Sequence, residues 1–87
     1  MDLNNIIFID NLPKIDLHGC TCDEANIYIN DFIRDCKKLN NNILVIIHGI
    51  GSGKLRIQTR KTLTNNKYVE EFKTFYYNQG CTIVKLK

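Results

Sequence analysis

Two histidines and one of the aspartates are the side chains of this 87-residue chain best suited to move protons. Asp16 and His18 stand two residues apart, so on a strand both would point to the same side. His48 ends a second apolar segment, directly before a run of glycines. A carboxylate beside an imidazole can fix its orientation and raise its pKa. Such a pair at a strand end is more often structural than catalytic, and both interpretations stay open at this point.

The glycine-rich loop over residues 48–53 is the second candidate site. Its three glycines let the backbone approach a ligand closely, and a helix that follows would point free amides at an anion. The spacing differs from both standard phosphate loops, because a P-loop needs glycine at position 48 and the dinucleotide fingerprint needs glycine at position 54. A tight strand-to-helix turn without a ligand is the alternative. The predicted phosphate-binding residues are Gly49, Gly51, Ser52, Gly53, Lys54, Arg56 and Arg60.

Charge is distributed unevenly along the chain. Residues 36–69 contain seven basic and no acidic residues, whereas the rest contains five basic and nine acidic residues. The formal net charge is +3. A segregated positive field attracts polyanions and accelerates their encounter. The pattern favours a nucleic-acid partner, with an ordinary solvated basic face as the alternative.

Apolar periodicity predicts the elements that would position these residues. Alternation predicts a strand over residues 14–18, and the capping-box spacing of Thr21 and Glu24 predicts a helix that begins there and ends near Lys38. The continuous apolar run 43–47 is typical of a central, buried, parallel strand. The remaining predicted elements are a helix over about 54–63 with a thin apolar stripe, a strand over 68–77, a tight turn over 78–80 and a strand over 81–86.

Together these elements predict a two-layer α/β sandwich of order β-α-β-α-β-β. Strand–helix–strand units cross over with a right hand, so both helices are expected on one face of a mixed four-stranded sheet. Residues 15–87 are predicted to form this domain. Residues 1–14 are predicted as a lead-in, whose apolar residues 6–9 form either a short strand or an apolar latch.

Composition excludes several other classes of protein. With 44% apolar and 24% charged residues, the chain is expected to fold as one globular domain. Its longest aliphatic run, residues 43–47, is far shorter than the ~20 residues that span a bilayer. We recognise no secretory signal and expect a cytoplasmic protein. The four cysteines lack a paired C-x-x-C frame, which predicts free thiols instead of disulfides or zinc.

Two motifs in these segments resemble those of a known family. Ile15-Asp16-Leu17-His18-Gly19 resembles the L-D-L-H-G motif of the Smr (small MutS-related) domain, and residues 48–56 resemble its H-G-x-G-x-G-x-L-R motif. The spacing between the motifs, the helix start and the closing strand also agree, so the resemblance covers residues 15–87. It implies an α/β sandwich similar to the C-terminal domain of translation initiation factor three.

The resemblance further implies nuclease activity on DNA or on messenger RNA, including RNA at stalled ribosomes. In the RNA-cleaving members the D-x-H pair is the catalytic signature, which corresponds here to Asp16 and His18. The family's glycine-rich stretch before the last strand shrinks here to Gly80, preceded by Tyr76 and Tyr77. These tyrosines would either stack on bases or form a hairpin core.

We therefore predict an endonuclease that cleaves RNA, or DNA as the weaker choice, by general acid–base chemistry. Asp16 would orient His18, His18 would act as general base or acid, and His48 would be a second proton-transfer group. No cofactor or metal is predicted for RNA cleavage, and Mg²⁺ belongs to the DNA alternative. The expected partners are RNA or DNA and ribosomes, without a membrane. The alternatives are a non-catalytic nucleic-acid- or ribosome-binding module and, less favoured, a small-anion enzyme or sensor.

Overall fold

Strands and helices follow one another in the predicted order. The structure, a computed structural model, describes residues 2–87; Met1, part of the predicted lead-in, lies outside the described residues. The elements are a 3₁₀ turn Leu3–Asn5, β1 Lys14–Asp16, α1 Cys22–Lys38, β2 Ile43–Ile47, α2 Lys54–Thr64, β3 Val69–Thr74 and β4 Cys81–Leu86.

The four strands form one mixed sheet in the order β1-β2-β4-β3. β1 pairs with β2 in parallel, and β4 runs antiparallel to both of its neighbours, β2 and β3. β2 is central and its middle residues are buried, as its unbroken apolar run predicts. Alternate residues of β2, such as Leu44 and Ile46, pack on one face against Ile29, Ile33 and Leu63 of the helices. The predicted sandwich, with both helices on one face, is confirmed.

α1 forms where its cap and its apolar stripe coincide. The Thr21 hydroxyl accepts a hydrogen bond from the Glu24 amide (3.1 Å), and the Glu24 carboxylate accepts one from the Thr21 amide (2.9 Å). This reciprocal cap satisfies two of the amide donors that a helix start leaves without intrahelical partners. The helix ends before Asn40, which has a left-handed backbone conformation (φ 59°).

α2 has a weaker apolar face and is held to α1 partly by polar contacts. Thr59, Thr62 and Leu63 are buried along this stripe. The Thr62 hydroxyl donates to the Asn26 side chain (2.7 Å), and further along the helix pair the Asn66 side-chain amide donates to Asn30 (2.9 Å). These contacts offset the small apolar area, because a buried hydroxyl without a partner would destabilise the helix pair.

The opposite face of the sheet is covered by the amino-terminal residues. Leu3 and Ile6 are buried against Val45, Phe75 and Ile83, which form a second small core. We call residues 2–12 the N-terminal strap. Its residues 6–9 have no strand conformation, so the short strand is absent; Ile6 and Ile9 pack against the sheet, whereas Ile7 and Phe8 are exposed.

Two strands are shorter than predicted. β1 ends at Asp16 instead of residue 18, because the Asp16 carboxylate accepts a hydrogen bond from the His18 amide (2.9 Å) and turns the chain. β3 covers Val69–Thr74 instead of residues 68–77, because the Asn78 amide donates to the Phe75 carbonyl (3.3 Å) and begins a turn.

Candidate functional site

One edge of the sheet brings the predicted site residues together. β1 and β2 both end at this edge, so the turn after Asp16 lies beside the loop after Ile47. A depression of about 400 Å³ opens between them. It is lined by Asp16, His18, Gly19, Ile47, His48, Gly49, Gly51 and Leu55. All three residues considered for proton transfer therefore border one concave surface.

The contact between Asp16 and His18 differs from the predicted one. The Asp16 carboxylate oxygen Oδ1 accepts from the backbone amide of His18, two residues on, instead of from its imidazole. This short loop is an Asx-type turn, which fixes where His18 leaves the sheet. The His18 side chain is exposed, and within residues 2–87 its ring makes no hydrogen bond. Its imidazole is consequently free to meet a ligand in the depression.

His48 has the opposite environment, since it is only 5% exposed. Its Nδ1 lies 2.9 Å from the Gly49 carbonyl oxygen, and its Nε2 lies 2.8 Å from the Thr82 hydroxyl. A carbonyl can only accept, so Nδ1–H donates to Gly49 and Nε2 accepts from the Thr82 hydroxyl. Both ring nitrogens are thus occupied, which leaves neither nitrogen open to a substrate in this arrangement and departs from the proton-transfer role expected of His48.

Burial lowers the pKa of His48 below its ordinary value. The hydrogen bond to the Gly49 carbonyl opposes this change, while the positive charges of Arg56 and Arg60 reinforce it. The ring is therefore held neutral near pH 7, in agreement with its two hydrogen bonds.

The glycine loop has a backbone that ordinary residues rarely adopt. Gly49 (φ 78°) and Gly53 (φ 86°) lie in the left-handed region, and an added Cβ at either would meet no atom within 4 Å. Glycine is thus required for the backbone conformation, while the space beside the loop remains open. A second depression of about 550 Å³ borders the loop on the side of Cys20 and Cys22, and it shares Gly49 and Gly51 with the first.

The start of α2 supplies positive charge to this surface. Gly53 caps the helix without a hydrogen bond from its own side chain, and the Lys54 amide donates to the Ser52 hydroxyl (3.5 Å). Within residues 2–87 the amides of Leu55 and Arg56 have no side-chain acceptor, so they remain available to an anion. Lys54 and Arg56 are exposed and line the second depression. Among the described residues that line the two depressions, Asp16 is the single acidic one.

Arg60 lies one helical turn after Arg56, outside the lining of the two depressions. Its guanidinium group is 3.5 Å from the Thr74 hydroxyl, at the end of β3. Arg60 therefore extends the positive surface along the edge of the sheet, towards the turn between β3 and β4.

That turn supports the glycine loop directly. The Gly80 carbonyl accepts hydrogen bonds from the amides of His48 (2.9 Å) and Gly49 (3.0 Å). Tyr76 and Tyr77 in the same turn are exposed, so the predicted hairpin core is wrong for them, and the buried aromatic residue is Phe75.

Sequence reasoning missed Thr82 and the carbonyl of Gly80. One signal was available for Thr82: it is a polar residue on the otherwise apolar face of β4 that it shares with Val84 and Leu86. No sequence signal points to a backbone carbonyl such as that of Gly80.

Within residues 2–87, no group of three or more metal-ligating side chains comes together. None of the helices in this part of the chain has the length and apolar character needed to span a bilayer.

A family model described as "Smr domain" matches residues 15–87. The chain belongs to the Smr domain family. The resemblance drawn from the two motifs is thereby confirmed.

Curated relatives of this Smr domain are much longer proteins. It is 39% identical over 77 residues to a protein named endonuclease MutS2 from Caldanaerobacter subterraneus subsp. tengcongensis. It is 41% identical over 78 residues to a protein of the same name from Streptococcus suis. Each alignment covers 85% of this chain and 10% of the relative, so the chain spans about a tenth of the length of these relatives.

Two solved structures share the fold. The crystal structure of the Smr domain of Thermus thermophilus MutS2 matches with a TM-score of 0.85 and 30% identity, over 87% of this chain and 99% of that one. YdaL, a stand-alone small MutS-related protein from Escherichia coli, matches with a TM-score of 0.79 and 22% identity, over 85% of this chain and 63% of that one. The second match supports the fold alone.

Proposed function

We propose that this Smr domain is a nucleic-acid endonuclease that cleaves RNA in preference to DNA. One observation carries the proposal: the free imidazole of His18 borders a depression that shares Gly49 and Gly51 of the glycine loop with a neighbouring depression, which is lined by the exposed cations Lys54 and Arg56. The relatives named endonuclease MutS2 support the same class of reaction. RNA, free or within a ribosome, is the proposed partner.

In the proposed reaction His18 acts as the general base. Its imidazole takes the proton of a ribose 2′-hydroxyl, the 2′ oxygen attacks the adjacent phosphorus, and the bond from phosphorus to the 5′ oxygen breaks. The leaving oxygen takes a proton from solvent, which yields a 2′,3′-cyclic phosphate and a 5′-hydroxyl. Proton transfer of this kind contributes about 10²–10⁴-fold to the rate. A DNA strand lacks this nucleophile, which is why RNA is the favoured substrate.

The loop would stabilise the charge that builds up on the phosphate. Loop residues 50–53 and the cations Lys54 and Arg56 line the depression where a phosphate would lie, whereas the Gly49 amide is already bonded to the Gly80 carbonyl. Fixed donors in a prearranged site stabilise a transition state more effectively than mobile water. His48 contributes as a positioning residue, because its ring joins the Gly49 carbonyl to Thr82 of β4.

The decisive experiment is an activity assay on matched single-stranded RNA and DNA, each with EDTA or with Mg²⁺. We expect the wild-type chain to cut RNA in EDTA and to leave cyclic phosphate ends. His18→Ala should lower the rate by at least 100-fold, while its circular dichroism stays unchanged. Tyr28→Ala, an exposed change on α1, is the matched control and should cut like the wild type. Undiminished cutting by His18→Ala would overturn the role of His18.

A non-catalytic binding module is the second candidate. Two observations favour it: both ring nitrogens of His48 are hydrogen-bonded within the protein, and the Asp16 carboxylate accepts from the His18 backbone amide. His18 is then the one free imidazole of the site. Such a module would bind RNA in the same assay without producing fragments under either metal condition. Asp16 and His18 substitutions would then leave binding intact, whereas Lys54 and Arg56 substitutions would weaken it.

A further inference from the structure

We propose that Tyr76 and Tyr77 form a stacking platform for the unpaired bases of the nucleic acid that the site holds. The inference rests on the proposed function and adds to it a preference for single-stranded over double-stranded substrate. We call residues 75–80 the aromatic turn.

The first support is the exposure of the two rings. Tyr76 is 83% and Tyr77 is 63% exposed, although each has a large apolar ring. Their centroids are 5.1 Å apart with an interplanar angle of 82°, so the rings meet edge to face and this contact covers at most one face of either ring. An aromatic ring with an open face can stack on any base, because every base has a π-face.

The second support is the rigidity of the aromatic turn. Tyr77 packs edge-on against the buried Phe75, with centroids 5.6 Å apart. The turn is closed by hydrogen bonds from the Phe75 amide to the Cys81 carbonyl (2.9 Å) and from the Cys81 amide to the Asn78 carbonyl (3.0 Å). The Tyr77 ring and the backbone of the turn are thus held in place before binding, which reduces the conformational entropy lost when a base arrives.

The third support is the place of the turn along the sheet edge. The Gly80 carbonyl accepts from the amides of His48 and Gly49, so the aromatic turn and the glycine loop are joined directly. β1 and β3 are separated by three strand spacings, about 14 Å. His18 therefore lies at one end of the edge, the anion loop in the middle and the tyrosines at the other end.

Charge favours a nucleic acid over a protein as the occupant. The Thr74 hydroxyl borders a depression with Tyr76 and accepts from the Arg60 guanidinium (3.5 Å), so a cation adjoins the platform. Phosphates that follow the edge from Lys54 to Arg60 would keep the next bases beside the tyrosines. A duplex cannot use this arrangement, because its bases are already stacked on one another.

The test is the affinity of the wild-type chain for a 5′-labelled, 12-nucleotide 2′-O-methyl RNA, measured by fluorescence anisotropy in EDTA. The 2′-O-methyl group removes the nucleophile, so binding is measured without cleavage. Tyr76→Ala should weaken binding of the single strand about 5- to 100-fold. Tyr76→Phe should bind within twofold of the wild type, because the ring face remains, and Tyr28→Ala is the matched exposed control.

Further arms of the experiment separate stacking from charge and from self-association. The salt dependence of Tyr76→Ala should equal that of the wild type, since no phosphate contact is lost. An oligomer with abasic sites should bind the wild type and Tyr76→Ala equally. Equal affinity of Tyr76→Ala and the wild type for the intact single strand would overturn the stacking platform. It would not contradict the proposed cleavage of RNA.

Two other results would also overturn the platform. If the wild type sediments as a dimer that Tyr76→Ala disrupts, with unchanged RNA affinity, the surface is a contact between copies of the chain. If the wild type binds no RNA at all, the proposed function fails together with the platform.

Discussion

The two histidines occupy contrasting environments only one strand apart. His18 is exposed and its ring is free within residues 2–87, whereas the ring of His48 is buried and bonded at both nitrogens. A proton-transfer group needs a nitrogen that can reach the substrate, and His18 satisfies this condition. A buried imidazole with two partners instead fixes the geometry of the loop that follows it. Identical residue types therefore receive different proposed roles from burial and hydrogen bonding.

The Asp16 carboxylate accepts a hydrogen bond from the His18 amide, and we propose that its charge also assists His18 in cleavage. Asp16→Asn can separate these two roles. Asparagine keeps an oxygen for the His18 amide but loses the negative charge. We expect the free energy of unfolding of Asp16→Asn to lie within about 0.5 kcal/mol of the wild-type value, as for most surface substitutions. Asp16→Ala should be less stable by about 1 kcal/mol, because the turn loses its hydrogen bond.

Cleavage should respond differently from stability. Both Asp16 variants should cut RNA at least ten times more slowly, since neither retains the negative charge in the lining of the depression that His18 borders. Urea denaturation and single-turnover cleavage measure the two effects. If Asp16→Asn cuts at the wild-type rate while Asp16→Ala is impaired, the carboxylate has only a structural role.

His48 should make stability depend on pH. Its pKa in the folded chain is lowered, so as the pH falls through about 6.5 the unfolded chain takes up a proton first. Stability should therefore decrease between pH 7.5 and 5.5, with a slope of up to about 1.4 kcal/mol per pH unit from this one group. Urea denaturation at three pH values measures the slope.

His48→Gln is the variant that isolates this effect. It should be less stable than the wild type by roughly 1–3 kcal/mol, because it disrupts buried hydrogen bonds to Thr82 and Gly49. Its stability should nevertheless fall less steeply with decreasing pH. Ile27→Ala, a change at an exposed residue that does not titrate, serves as the control and should retain the wild-type slope. An unchanged slope in His48→Gln would assign the pH dependence to other groups.

The candidate site was only partly predictable from residue types. The D-x-H spacing and the glycine run located both segments, because strand ends and glycine turns leave local sequence patterns. The partner of the Asp16 carboxylate was not predictable, since an exposed aspartate can bond equally to a ring or to a nearby amide. The burial of His48 depends on Thr82, 34 residues away, which no local pattern reports.

At the scale of elements, the helices and the central strand follow from the sequence, whereas the N-terminal strap and the aromatic turn do not. The α1 cap and stripe and the β2 apolar run are strong periodic signals. The strap is too short to show a helical or strand periodicity in its apolar residues. Whether it packs in the folded protein therefore depends on an apolar face that the sheet offers to it. Tyr76 and Tyr77 are residue types that favour strands, but the turn that Asn78 closes presents both of them to solvent.

The junction of the glycine loop and α2 predicts the response to substitution at Gly53. This residue has φ 86° and open space beside it, so an alanine there would meet backbone strain and no clash. We expect Gly53→Ala to lower the free energy of unfolding by about 1–2 kcal/mol. Gly53→Asn should lower it less, because asparagine tolerates the left-handed region.

Glycine at position 53 also leaves space beside the loop open, and RNA binding tests whether this space is needed. A side chain would stand in the open space through which a phosphate approaches the amides of α2, so both variants should bind RNA more weakly. Anisotropy measurements beside urea denaturation compare the two effects. Wild-type affinity in Gly53→Asn would show that the phosphate does not lie against this residue.

At the scale of the whole molecule, the basic segment of the sequence divides between two ends of the sheet. Lys54 and Arg56 lie at the site edge, where β2 ends and α2 begins. Lys37 and Lys67 lie at the other end, with their ammonium groups 5.8 and 5.3 Å from the Tyr68 ring centroid. Only the first pair can contact a phosphate held by the glycine loop, although all four residues contribute to the overall field.

Salt dependence tests this division. Each phosphate contact with a single strand adds about 0.7 to the slope of log affinity against log salt concentration. We expect Lys54→Ala and Arg56→Ala each to reduce the slope for 2′-O-methyl RNA by about that amount. Lys67→Ala is the matched control, since it removes the same charge at the far end and should leave the slope within error of the wild type. A reduction in Lys67→Ala as large as that in Lys54→Ala would mean that RNA is held by the general field, and that the glycine loop is not where its phosphates bind.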